Sequence, residues 1–215
     1  VILTAPITPT AGPTRNALTT TSVIYLNLAA VSTLNTGGSA ITSYVVYWDQ
    51  GTSTYVELVG DSSDNLLRTI SKSSLTSGTN YKFKYFLRNA IGDSGYSPEV
   101  TIRAATIPAK PDSPTVSYPS ASTYRITFTN PSNTGGTGVA IDSYTIEIRD
   151  SDGVYQEYLA TCDGSDSTVK TNMYCEVSLA VLTGATFDLE QGDQVLARYL
   201  VTNEIGDSSY SDASD

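Results

Sequence analysis

The 215-residue chain contains no histidine, one methionine, one tryptophan and two cysteines. Without histidine, Ser-His-Asp and Cys-His catalysis are excluded. No apolar stretch approaches the roughly 20 residues that a membrane-spanning helix needs. Runs of the helix-favouring Ala, Glu, Lys and Leu are missing too. Basic residues are scarce: 12 Lys and Arg stand against 22 Asp and Glu, a net charge of −10. Neutralising phosphates requires a basic face, so a nucleic-acid partner is not expected. No Asn-x-Ser/Thr acceptor is available, because Asn130-Pro131-Ser132 is blocked by its proline. The start carries neither an initiator Met nor a basic-apolar leader, which reads as a processed product or an excerpt.

Thr, Ser, Tyr, Val and Ile are plentiful, a strand-forming composition, and the length suits two domains of about 100 residues. Period-2 alternation recurs, whereas no 3.6-residue pattern outlasts a turn or so. Strands are expected at Ser22–Leu28, Ser43–Trp48, Leu66–Ile70 and Val100–Ala105. The clearest is Tyr81–Arg88, where Lys82, Lys84 and Arg88 alternate with Tyr81, Phe83, Tyr85 and Leu87. One wet and one buried face is the mark of an antiparallel sheet. The second half repeats the plan at Tyr124–Phe128, Tyr144–Arg149, Tyr155–Ala160, Cys175–Leu179 and Gln194–Val201.

One phrase is written twice, at Asn89-Ala-Ile-Gly-Asp-Ser and Asn203-Glu-Ile-Gly-Asp-Ser. A second doubled phrase is Asn35-Thr-Gly-Gly38 and Asn133-Thr-Gly-Gly136. The offset is 98 at the latter, 100 at Tyr44 and Tyr144, and 114 at the former. Fourteen extra residues are therefore expected between the middle strands of the second unit, where the cysteines lie. Pro108, Pro111 and Pro114 recur every third position and read as a semi-rigid interdomain linker. Pro6, Pro9 and Pro13 resemble them. Aligning Pro9 with Pro108 lays Val1, Leu3 and Ala5 over Val100, Ile102 and Ala104. The expected organisation is thus a strand at 1–5 that completes the second domain of a preceding unit, a domain over 6–107, and a domain over 108–215. That second domain lacks its own last strand and carries a cysteine-closed insertion.

Two readings are open for Cys162 and Cys175. A disulfide would close the loop, stabilise by roughly 3 kcal/mol in the chain-entropy model and imply an oxidising setting. The other reading is two buried free thiols. Two thiolates alone do not close a tetrahedral metal shell, so neither metal nor cofactor is expected. Asp150/Asp152 and Asp163/Asp166 fit Asx-type local bonding in turns; weak calcium binding is the alternative. Residues 1–107 carry seven basic and six acidic residues, and residues 108–215 carry five and sixteen. The Thr-rich stretches Thr8–Thr14 and Thr19–Ser22 are candidates for O-linked glycans.

Leu75, Gly78, Tyr81 and Asn89-Ala-Ile-Gly92 resemble the closing-strand hallmark of fibronectin type III domains, and the likeness covers nearly the whole chain. It implies an all-β fold: two immunoglobulin-like β-sandwiches in tandem. It also implies that the Tyr81 hydroxyl forms a tyrosine corner. Tyr44 and Tyr144 match the aromatic of the third strand. The family's early Trp is Phe128 in the second unit and no aromatic in the first. Val195 stands at the place of Tyr81 in the second unit, so the corner is absent there and the Cys162–Cys175 loop is expected to hold that region. This variant is similar to units of large tandem-repeat surface proteins of single-celled eukaryotes. The resemblance implies an extracellular, non-enzymatic structural role: one period of a head-to-tail array or filament, in contact with copies of itself. The periods would be joined by peptide bonds, or otherwise by donation of the 1–5 strand. The alternative is an adhesion or binding ectodomain pair that recognises a protein or glycan through its loops, with Tyr55, Tyr155, Tyr158 and Tyr174 as candidates.

Overall fold

A computed structural model describes residues 2–215, and the chain divides into two compact units, Val1–Ala105 and Thr106–Asp215. Val1 lies outside the described residues. The first unit contains β1 (Thr14–Arg15), β2 (Ile24–Asn27), β3 (Ile41–Trp48), β4 (Val56–Val59), β5 (Thr69–Lys72), β6 (Asn80–Asn89) and β7 (Val100–Arg103). They form a three-stranded sheet, β1-β2-β5, and a four-stranded sheet, β4-β3-β6-β7. The alternation in β6 explains why the sheets meet. Tyr81, Phe83, Tyr85 and Leu87 point into one core with Ile24, Leu26 and Ile70 from the opposite sheet. Full burial of a side chain such as Phe83 is worth about 1.5–3 kcal/mol.

The second unit repeats this order with β8 (Thr115–Ser120), β9 (Thr123–Thr127), β10 (Ile141–Arg149), β11 (Tyr155–Glu157), β12 (Tyr174–Ser178), β13 (Ala197–Asn203) and β14 (Gly206–Asp207). Its sheets run β12-β9-β8 and β11-β10-β13-β14. Ile126, Phe128, Ile146, Ile148, Tyr199 and Val201 fill its core. Both units are immunoglobulin-like β-sandwiches of fibronectin type III arrangement, and the chain is all-β apart from short helical turns.

Several expected strands shift. The one expected at Leu66–Ile70 forms instead at Thr69–Lys72, because Asn65 closes a local turn. Its side chain donates to the Leu67 carbonyl at 3.0 Å and accepts the Leu67 N–H at 3.1 Å. The strand expected to reach Ala160 stops at Glu157, and Leu159–Cys162 winds into a helical turn, α1. β13 begins at Ala197 rather than Gln194.

The extra residues of the second unit are also redistributed. Ile70 lies opposite Leu26, and Cys175 lies opposite Ile126. Leu189-Glu-Gln-Gly192 takes the place of Leu75-Thr-Ser-Gly78: Asp193 N–H donates to Glu190 as Thr79 N–H does to Thr76. Ile70 to Leu75 spans five positions and Cys175 to Leu189 spans fourteen, so nine of the fourteen extra residues follow β12. The cysteine-closed connection, with α1 and α2 (Ser167–Asn172), holds only the remainder. The nine include α3 (Leu179–Leu182), capped by the Ser178 hydroxyl, which accepts the Val181 N–H. Leu182, Phe187 and Leu189 of this segment are buried beside Val195 in the core. That apolar plug fills the region expected to depend on the cysteine loop.

The disulfide Cys162–Cys175 is formed, with Cα atoms 5.0 Å apart, and it ties α1 to β12. Both sulfurs sit in the core of the second unit. The acidic turn between them is locally satisfied. Asp166 caps α2 by accepting the N–H groups of Thr168 and Val169, and these bonds hold its carboxyl below the usual range. Asp163 accepts the Ser165 N–H and hydroxyl.

Candidate functional site

The two doubled phrases are partners in a single device. Asn89 ends β6 and is 4% exposed, so its carboxamide must be satisfied inside the protein. Its oxygen accepts the N–H groups of Ile91 and Gly92 at 2.9 and 3.1 Å. Its nitrogen donates to the carbonyls of Thr4 and Thr36, both at 2.8 Å. Thr4 N–H in turn donates to Gly37 and Ile7 N–H to Asn35, both at 2.9 Å. Asn-Thr-Gly-Gly and Asn-x-Ile-Gly thus close around the chain segment leading into the first sandwich.

The second unit repeats every bond. Asn203 accepts from Ile205 and Gly206 and donates to the carbonyls of Thr106 and Thr134 at 2.9 and 2.8 Å. Thr106 N–H donates to Gly135 and Ala109 N–H to Asn133. Glycine is required at the contact: Gly135 has φ +107°, and a Cβ there would lie 2.2 Å from the Thr106 carbonyl oxygen.

These bonds reset the alignment of the leading segment. Thr4 corresponds to Thr106 and Ile7 to Ala109, an offset of 102, whereas the proline match implied 99. Leu3 then falls on Ala105 and Ala5 on Ile107, not on Ile102 and Ala104. Leu3 and Ala5 belong to no strand, and the backbone around them is held by the first unit through Thr4. The expectation that this segment leaves its own unit alone is therefore corrected for the described residues. Pro108, Pro111 and Pro114 are buried within the second unit, which begins at Thr106. They seat the leading segment on its sandwich and do not form a free linker.

A serine ladder follows each clamp. Ser94 and Ser97 donate their N–H groups to Leu87 and Tyr85 at 2.9 and 2.7 Å. Their hydroxyls accept the N–H groups of the same two residues at 3.0 and 3.1 Å. In the second unit Ser208, Ser211 and Ser214 treat Val201, Tyr199 and Ala197 in the same way. The serines recur every third residue against every second residue of the strand. Each hydroxyl replaces a carbonyl acceptor, so an edge running out of β register is still satisfied.

Beyond the ladder the units differ. In the first, Gly78 N–H donates to Ala104 at 2.8 Å, and Ala104 N–H donates to Thr79 at 3.0 Å. Arg103 Nε adds a bond to the Gly78 carbonyl at 2.7 Å. In the second unit Gly192 and Asp193 occupy the places of Gly78 and Thr79. They are exposed, and no strand lies beside them among the described residues.

Tyr81 is buried and its hydroxyl accepts the Thr76 N–H at 2.9 Å. The second unit anchors a different tyrosine, which the sequence reading missed. The Tyr199 hydroxyl donates to the Thr129 carbonyl at 2.9 Å and accepts its N–H at 3.3 Å.

The tyrosines considered for loop recognition are engaged within their own units. Lys84 Nζ lies 4.0 and 4.4 Å from the ring centres of Tyr55 and Tyr96. Arg198 lies 4.0 and 4.1 Å from those of Tyr155 and Tyr210. Tyr174 covers Arg125, and Tyr158 meets Phe187 edge-on. Such cation–ring contacts contribute about 0.5–1 kcal/mol each at exposed sites. Burial and a bond to Glu147 push Tyr210 up to about 12. A bond to Asp61, with burial, pushes Tyr47 up to about 12.

No family model and no curated protein matches the chain. Among solved structures it is similar to the crystal structure of the chicken CNTN1 FN1-FN3 domains, at 13% identity and a TM-score of 0.47, covering 98% of this chain and 67% of that one.

Proposed function

We propose that the chain is a structural extracellular protein, one period of a head-to-tail array of fibronectin-like units joined through the main chain. The observation that carries this reading is the equivalence of the two clamps. The second unit clamps Thr106, directly after the last core alanines of the first unit, and the first unit clamps Thr4 with the same bonds. Each sandwich thus receives a leading segment in one stereotyped way, as serial addition of units requires. The buried disulfide supports an oxidising, extracellular compartment. Among the described residues no helix is long and apolar enough to cross a membrane.

Strand donation between separate subunits is the second reading, favoured by the open backbone at Gly192 and Asp193. Denaturing electrophoresis of the native material distinguishes the two. Main-chain joining gives species far above the 22.8 kDa of one period. A single species at that mass, drawn from intact fibres, leaves strand donation instead. A native monomer that binds a defined partner and never associates end to end overturns both.

A further inference from the structure

The second unit ends its serine ladder on an edge that the first unit covers. In the first unit Phe83 lies opposite Val100 and Tyr81 opposite Ile102, both in β7. Ala104 then accepts the Gly78 N–H and donates to the Thr79 carbonyl. In the second unit Ala197 stands for Phe83, and Ser214 satisfies both its N–H and its carbonyl. Val195 stands for Tyr81. Leu196, between them, accepts the Arg149 N–H from β10 at 2.8 Å on the other side of the strand.

Residues two apart in a strand turn their backbone groups to the same side, so Val195 faces the side that Ser214 holds at Ala197. Its N–H and carbonyl make no hydrogen bond to any described residue, and neither do the Gly192 N–H and the Asp193 carbonyl. Yet Val195 is only 6% exposed and packs in the core, which fixes the backbone in place. Four unpaired groups thus stand in the order that Ile102 and Ala104 meet in the first unit. A Cβ at Gly192 would meet nothing within 4 Å, so there is room for side chains larger than alanine.

The segment before Thr4 is the matching piece. Thr106 and Thr4 are clamped alike, and the two residues before Thr106, Ala104 and Ala105, are both 0% exposed. The two residues before Thr4, Ile2 and Leu3, are 89% and 47% exposed. We propose that residues 1–3 of a second copy add to Gly192–Val195 as an antiparallel strand, Ile2 and Leu3 taking the places of Ala104 and Ala105. An apolar segment fits because one face of this edge is core. The pairing rests on the head-to-tail order proposed above, and not on whether periods are joined by peptide bonds.

The test compares the full chain, isotopically labelled, with its Ile2→Asp/Leu3→Asp variant, whose substituted positions are exposed and leave the fold intact. The Gly192 and Val195 amide resonances should move with concentration in the native chain and stay fixed in the variant. Adding the peptide acetyl-Val-Ile-Leu-Thr-Ala-Pro-Ile-amide to the variant should restore saturable shifts there, with a Kd on the order of millimolar. Hydrogen exchange at the two amides should slow several-fold. The proposal is overturned if the shifts do not saturate, if they fall elsewhere, or if the peptide carrying both aspartates binds equally well. Failure of the peptide while native fibres persist overturns this pairing and leaves the head-to-tail order; discrete native particles overturn the order itself.

Discussion

Asn203 Nδ2 lies 2.9 Å from the carbonyl oxygen of Thr106, ninety-seven residues earlier in the chain. Through this bond the phrase that closes a sandwich grips the segment that opens it. Asn89 and Thr4 repeat the relationship at 2.8 Å in the first unit.

Replacing Asn89 or Asn203 with alanine removes four hydrogen bonds and strands buried backbone groups. A loss of about 2–3 kcal/mol is expected for each, since an unsatisfied buried group costs about 1–3 kcal/mol. Urea denaturation measures the loss. Hydrogen exchange should quicken at Thr4 and Ile7 in Asn89→Ala, and at Thr106 and Ala109 in Asn203→Ala. Unchanged exchange at these amides would show that the asparagine is not the clamp.

Replacing both Cys162 and Cys175 with alanine should destabilise the second unit by about 2–4 kcal/mol. Trp48 is the only tryptophan and lies in the first unit, so its fluorescence follows that unit selectively. The circular dichroism midpoint should fall while the Trp48 transition stays in place. A parallel shift of both signals would refute separate stability of the two units.

Ser211→Ala leaves the buried Tyr199 N–H without its hydroxyl acceptor. A cost of about 1–3 kcal/mol follows, and Ser97→Ala should do the same at Tyr85. Ser209→Ala, an exposed neighbour in the same segment, is the control and should change stability little. Equal effects at Ser209 and Ser211 would remove the ladder from the account.

Tyr47 and Tyr210 are both raised to about 12, the first chiefly by its bond to Asp61 and the second chiefly by burial. Folding therefore favours the protonated phenol. Its contribution is intact below the unfolded value of about 10 and is lost as pH rises through about 12. Phenolate absorbance should show a late-titrating fraction that denaturant abolishes. Titration of every tyrosine near pH 10 in the native chain would contradict this.

The two sandwiches were legible in the sequence because Tyr81–Arg88 and its counterpart alternate at period two, which only a half-buried strand sustains. The clamp was less so. Its halves are separated by more than fifty residues, and each looked like simple duplication until the fold brought Asn89 to Thr36. The leading segment was misregistered for a definite reason. An offset of 99 was set by the single pair Pro9 and Pro108 and by the alternation of Val1, Leu3 and Ala5, whereas an offset of 102 pairs both Pro6 with Pro108 and Pro9 with Pro111. The bonds of Thr4 and Ile7 agree with the second. The ladder of Ser94, Ser97, Ser208 and Ser211 was not legible, because a hydroxyl standing in for a carbonyl leaves no trace in hydrophobic periodicity.

Electron microscopy of the native material tests head-to-tail organisation most directly. The account predicts fibres whose axial repeat is two sandwiches long. Discrete, unassociated two-domain particles would contradict it.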